Sequence, residues 1–278
     1  MQIGFKSWML LAATVAAGLL FTRIPSKAQG GAAAQAQTYR APRTADGKPN
    51  LNGIWQALNE ANWDLEAHAA SQGPVLALGA QFSVPPGVGV VEGGAIPYKP
   101  EALAKKKENF ANRMKEDPEV KCYMGGVPRS TYMPYPFQII QGTGTIMMAY
   151  EYAGGVRIIN MSKPTEAPVD SWMGWSNGRW EGDTLVIDVT GLNDQTWFDR
   201  AGNYHSDALH VVERYTPRSA DTLMYEATIE DPNVFTRPWK ISMPLYRRVE
   251  RNAQILEYKC PEFAEDMLYG HLRKQPSK

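Results

Sequence analysis

Apolar and polar positions alternate through the second half of the chain. Phe137-Gln138-Ile139-Ile140-Gln141 passes through Gly142-Thr143-Gly144 into Thr145-Ile146-Met147-Met148-Ala149-Tyr150. Gly154-Gly155 then leads into Val156-Arg157-Ile158-Ile159-Asn160-Met161. A period of two broken by glycine pairs predicts strand, turn, strand. The same pattern predicts strands over 184–189, 210–216, 222–230, 236–248 and 254–259, with a turn at 178–183. A further short strand at 51–56 follows the turn residues Asp46-Gly47-Lys48-Pro49-Asn50. Short connections without helical crossovers describe an antiparallel meander, and nine or ten such strands hide their edges by closing into a barrel.

Helical spacing is confined to a few places. Residues 100–115 open on a proline and continue with strong helix formers; Leu103, Phe110 and Met114 form a narrow apolar stripe, and Lys105-Lys106-Lys107 a solvated face. Residues 60–72 suit a short helix and 262–272 a terminal one, while 73–98, rich in Gly and Pro, are irregular. The expected fold is mainly β: an antiparallel, lipocalin-like barrel over 135–278 with a C-terminal helix, and an irregular N-terminal wrap over 46–134.

The first 28 residues change the setting. Lys6 precedes a 14-residue apolar run from Trp8 to Phe21, and Ser26-Lys27-Ala28 has the small-x-small form of a signal-peptide cleavage site. The run is shorter than the roughly 20 residues of a spanning helix, so no stable membrane span is expected after cleavage. Residues 29–45 read as a flexible leader. Removing 1–28 leaves 26 basic against 29 acidic residues, a net charge of −3. That balance disfavours nucleic acid as a partner and fits a periplasmic or secreted protein. In an oxidising compartment Cys122 and Cys260 are expected to form one disulfide.

Candidate chemistry concentrates in residues 194–207. Asp199 and His205 suit an acid–base pair, with Arg200 as an anion holder and Trp197 and Tyr204 as ligand contacts. A self-satisfied turn network explains the same residues. His205 and His210 lack the further ligands a metal needs, so no metal or cofactor is expected. Alternation groups Arg214 with His210, Val212 and Thr216, and Glu226 with Met224 and Thr228. With these faces inward, Arg214 and Glu226 line a charged cavity; with them outward, they are solvent-facing. Trp172, Trp175, Trp180, Trp197 and Trp239 fit either a ligand mouth or a core.

Gly53-Ile54-Trp55 resembles the Gly-x-Trp strand of lipocalins, and Gly178-Arg179-Trp180-Glu181-Gly182-Asp183-Thr184-Leu185 resembles a hairpin of fatty-acid-binding barrels. The resemblance implies that Trp55 closes the barrel bottom against Arg247, Arg248 or Lys259. The chain also resembles exported, uncharacterised bacterial proteins through Lys121-Cys122-Tyr123, Tyr135-Pro136-Phe137, Asp199-Arg200-Ala201-Gly202-Asn203 and Thr236-Arg237-Pro238-Trp239. Three functions follow as expectations: binding a small apolar or aromatic molecule in the barrel; a hydrolase, lyase or isomerase acting through Asp199 and His205; or a structural envelope protein.

Overall fold

The computed structural model describes residues 39–73 and 83–258. Nine strands form one closed barrel in chain order: β1 Gly53–Ala57, β2 Phe137–Gln141, β3 Thr145–Tyr150, β4 Val156–Asn160, β5 Trp175–Glu181, β6 Thr184–Thr190, β7 His210–Ser219, β8 Thr222–Glu230 and β9 Trp239–Arg247. The mainly-β barrel expected from alternation is present, and β1 completes the ring by pairing with both β2 and β9. The meander is not wholly antiparallel. β4 and β5 run parallel through Ile159↔Ser176 and Asn160↔Asn177. Their connection, 161–174, therefore returns the chain along the barrel before β5 begins, as a parallel pair requires.

β5 was not foreseen, because Gly178 breaks its apolar alternation. A Cβ there would lie 2.6 Å from Ile159 Cγ2 and still closer to the Met161 sulfur, so only glycine lets β5 pass these side chains. The hairpin turn sits at Gly182, with φ 59°, rather than across 178–183. The strand expected over 254–259 is irregular through 258, and 60–72 are turns and isolated bridges instead of helix. The expected helix over 262–272, the signal peptide and Cys260 lie outside the described residues.

One barrel end is closed as the Gly-x-Trp strand implied. Trp55 is buried, its Nε1 donates to the Leu51 carbonyl at 2.9 Å, and the Arg247 guanidinium lies 4.2 Å from its ring centroid. A Cβ on Gly53 would fall 2.0 Å from an Arg247 terminal nitrogen, so the glycine makes room for that cation.

The opposite end carries the long connections. Between β1 and β2 the chain forms helix α1 (Pro100–Glu116) and the single-turn helix α2 (Arg129–Tyr132). All four α2 residues are buried, and the Tyr132 hydroxyl donates to the Phe198 carbonyl at 2.8 Å. α2 thus acts as a plug. Beneath it the strands bury inward residues, among them Phe137, Met148, Ile187, Tyr215, Tyr225 and Ile241. They fill the lumen with side chains. A buried ion pair, Arg157 with Glu213, sits among them.

Candidate functional site

The polar loop 194–207 folds around Asp199. Its Oδ1 accepts from the Ala201 and Asn203 amides at 2.9 and 3.2 Å; its Oδ2 accepts from the Leu65 amide at 2.9 Å and Asn203 Nδ2 at 2.6 Å. Burial, and then the charge of Asp64, pushes its carboxyl up to about 7 against those donors. Both carboxylate oxygens are occupied by the protein's own N–H groups. The Asp199→Asn variant puts an amide NH2 against two of these donors, so a loss of about 2–4 kcal/mol is expected by urea denaturation. An unchanged midpoint would show that the loop does not depend on this carboxylate.

His205 is buried away from that centre. Its Nδ1 donates to the Ser206 carbonyl at 2.9 Å, so in the neutral ring Nε2 accepts from Thr196 Oγ1 at 2.6 Å. Burial lowers its pKa and favours this neutral form. Phe198 packs on the ring at 5.2 Å. The acid–base pairing expected of Asp199 and His205 gives way to two separate sets of structural hydrogen bonds. Both sets satisfy backbone groups that a buried loop would otherwise leave unpaired. Gly202, with φ 82°, lets α1 approach: a Cβ would lie 2.6 Å from the Phe110 amide nitrogen. Tyr204 donates to the Ala102 carbonyl at 3.3 Å, and Trp197 is buried beside it in an isolated bridge.

Arg214 and Glu226 lie on the outer wall, since Glu213 and Tyr215 take the inner face of β7. Arg214 donates to Glu181 at 2.8 Å, and Glu226 faces Lys240 at 3.8 Å. Neither lines a cavity inside the barrel. Of the tryptophans, Trp239 packs on Phe198 and Phe235 in the core, and Trp172 packs on Tyr123.

Of the loop's candidates, Arg200 alone reaches the aromatic cavity. It lies 4.0 Å over the Trp63 ring and donates to both oxygens of Glu119, at 2.7 and 2.5 Å. Glu119 also accepts from Arg129 at 2.7 Å, and Arg129 makes a two-point pair with Asp117 at 2.8 and 3.2 Å. Burial opposes ionisation of Glu119, but Arg200 and Arg129 outweigh it and hold the carboxyl down at about 2.

This network floors a cavity of about 270 Å³ outside the plugged barrel, between α1, the 60–72 segment and the chain around 135 and 258. Its walls are Trp63, Phe110, Met114, Tyr135 and Tyr258, with Asp64, His68 and Arg113 supplying polar edges. α1 explains the opening. The helix buries Ala102 and Asn109, while Phe110 stays 44% exposed and lines the cavity with Arg113 and Met114, its neighbours at i+3 and i+4. The Arg113 guanidinium lies 4.1 Å over the Phe110 ring. In the sequence, Phe110 and Met114 appear only as members of a narrow apolar stripe, and no local sign shows that Trp63 and Asp64 border a site. The signal available was an apolar stripe too narrow to seat a helix by itself.

No family profile matches the chain, and neither does any curated protein or solved structure. No helix among the described residues is long and apolar enough to cross a membrane.

Proposed function

We propose that this chain is an exported, periplasmic or secreted protein that binds a small aromatic molecule at the plugged mouth of its barrel. The observation that carries the reading is the cavity beside α1. Aromatic and thioether walls enclose it, and a helix aromatic borders it without being buried by the fold. Small-molecule sites combine largely apolar walls with a few placed polar groups in this way. The side chains that fill the lumen and the buried α2 favour the mouth over the barrel interior as the ligand's seat.

The test is native mass spectrometry of the protein expressed with its N-terminal segment and exposed to host-cell extract. The expected result is an adduct that disappears on denaturation and is lost in Phe110→Glu, which puts a charge into the apolar wall. An adduct indifferent to Phe110→Glu, or no adduct in the unaltered protein, overturns the reading. The same spectra test export into an oxidising compartment. A Cys122–Cys260 disulfide lowers the intact mass by two hydrogens relative to the reduced chain, and the full reduced mass would refute that bond.

A further inference from the structure

We infer that the mouth cavity takes an aromatic zwitterion of the amino-acid type, its ammonium group on Asp64 and its carboxylate on Arg113. The inference rests on the proposed mouth site and narrows its ligand class.

The first observation is that the charges at the cavity fall into two sets. Arg200 and Arg129 are matched by Glu119 and Asp117 within hydrogen-bond distance. Asp64 and Arg113 also line the cavity, and neither has an ion-pair partner among the described residues. Asp64 Oδ1 accepts from the Glu66 amide at 3.0 Å, and Arg113 Nη1 donates to the Phe110 carbonyl at 2.8 Å. These bonds hold both side chains and leave Asp64 Oδ2 and Arg113 Nη2 unpaired among the described residues. Neither atom is sealed off: the unpartnered side-chain atoms closed to solvent are His68 Nε2 and Trp239 Nε1. Burial raises the Asp64 pKa, outweighing the pull of Lys106, and lowers that of Arg113. Charges that lose water without gaining a counter-ion shift in these directions. Glu119 and Arg200, which face each other, shift in the opposite ones.

The second observation is where the two unmatched charges stand. Asp64 follows Trp63 in the chain, and Arg113 lies one helical turn beyond Phe110, with its guanidinium 4.1 Å over that ring. Each charge therefore borders an aromatic wall. A ring packed among Trp63, Phe110, Tyr135 and Tyr258 brings its substituents to both. An amine without an acid leaves Arg113 unanswered, and an acid without an amine leaves Asp64. A molecule carrying both groups compensates the two partly desolvated charges together.

Calorimetric titration of the full chain with two zwitterions tests this. L-Phenylalanine carries its charges on neighbouring groups, and 4-(aminomethyl)benzoate carries them across the ring. Phenethylamine and 3-phenylpropionate are the singly charged analogues of the first, benzylamine and benzoate those of the second, and benzyl alcohol is the neutral control. At least one zwitterion is expected to bind about tenfold more tightly than either of its analogues, the effect of one added charge-assisted hydrogen bond. Asp64→Asn keeps an acceptor for the Glu66 amide and should erase the zwitterion's advantage over the acid, leaving its advantage over the amine. Arg113→Gln should do the reverse, and Arg113→Lys should retain the original pattern. A damaged fold weakens every ligand alike and does not produce this crossing. Two zwitterions no tighter than their analogues, or uniform losses in both variants, overturn the inference; benzyl alcohol binding that disappears in Phe110→Glu would then leave the mouth site standing. Failure of every ligand to bind, or binding indifferent to Phe110→Glu, removes the mouth site and this inference together.

Discussion

Replacing Arg157 by Met is expected to lower the folding free energy by about 3–5 kcal/mol, the cost typical of stranding one partner of a buried ion pair. Arg157 and Glu213 are both fully inside the barrel wall, one from β4 and one from β7. Arg157 Nε donates to Ser176 at 2.8 Å, and Glu213 Oε1 accepts from the hydroxyls of Tyr215 and Tyr225 at 3.1 and 2.8 Å. Burial works against the guanidinium's charge, and Glu213 more than compensates, raising the Arg157 pKa. Removing the cation leaves a carboxylate in an apolar lumen with only hydroxyl donors. Glu213→Gln strands the guanidinium in the same way, although the amide oxygen still serves the two tyrosines. The double variant Arg157→Met/Glu213→Gln buries no lone charge, so it should be more stable than Arg157→Met by about 1–3 kcal/mol. Urea unfolding of the four proteins completes the cycle. Additive losses would show that the two charges do not stabilise one another.

That pair also marks the limit of what the sequence conveys. On β7, alternation placed Val211, Glu213 and Tyr215 on a common face, and the structure keeps that face inward. The sign of the face was not legible, because charged residues occupy both sides of the strand. The partner that makes Glu213 tolerable inside is 56 residues away, on a strand whose own outward positions, Val156 and Ile158, are apolar. Trp55 was legible through its Gly-x-Trp resemblance, which implied a late basic partner and left Arg247, Arg248 and Lys259 open; the structure seats Arg247. The dense polar loop around Asp199 misled in the opposite direction. A buried loop must satisfy its own amides, and the side chains that do so are of the same types that perform catalysis. The cavity walls come from positions 63, 110, 135 and 258. No local pattern links such distant residues. α1 alone carried a sign, an exposed phenylalanine in a stripe too narrow to pack.

The acid limb of stability should be governed in large part by Glu119, whose carboxyl is drawn down to about 2 by Arg200 and Arg129 despite burial. The folded state prefers the ionised form, while the unfolded chain titrates near the ordinary glutamate value of 4.5. Between those values the unfolded chain binds more protons. The stabilisation is therefore complete above about pH 4.5 and is lost as pH falls towards 2. At 1.36 kcal/mol per unit this amounts to about 3 kcal/mol at neutral pH. Asp199, raised instead, contributes the opposite slope between its ordinary value and about 7. A single acid titration therefore mixes the two, and the difference between the unaltered protein and Glu119→Gln isolates the first. Glu119→Gln is expected to be about 3 kcal/mol less stable at pH 7, with the gap closing as pH approaches 2. The pocket should respond in parallel. In Glu119→Gln one oxygen becomes an NH2 group, so Arg200 keeps a single hydrogen bond to a neutral amide in place of two to a carboxylate, and the only carboxylate left on Arg129 is Asp117. The guanidinium over Trp63 is then free to move into the ligand volume, so weaker aromatic binding should accompany the lost stability. A gap that stays constant from pH 7 to pH 2 would show that Glu119 acts by packing and not by charge.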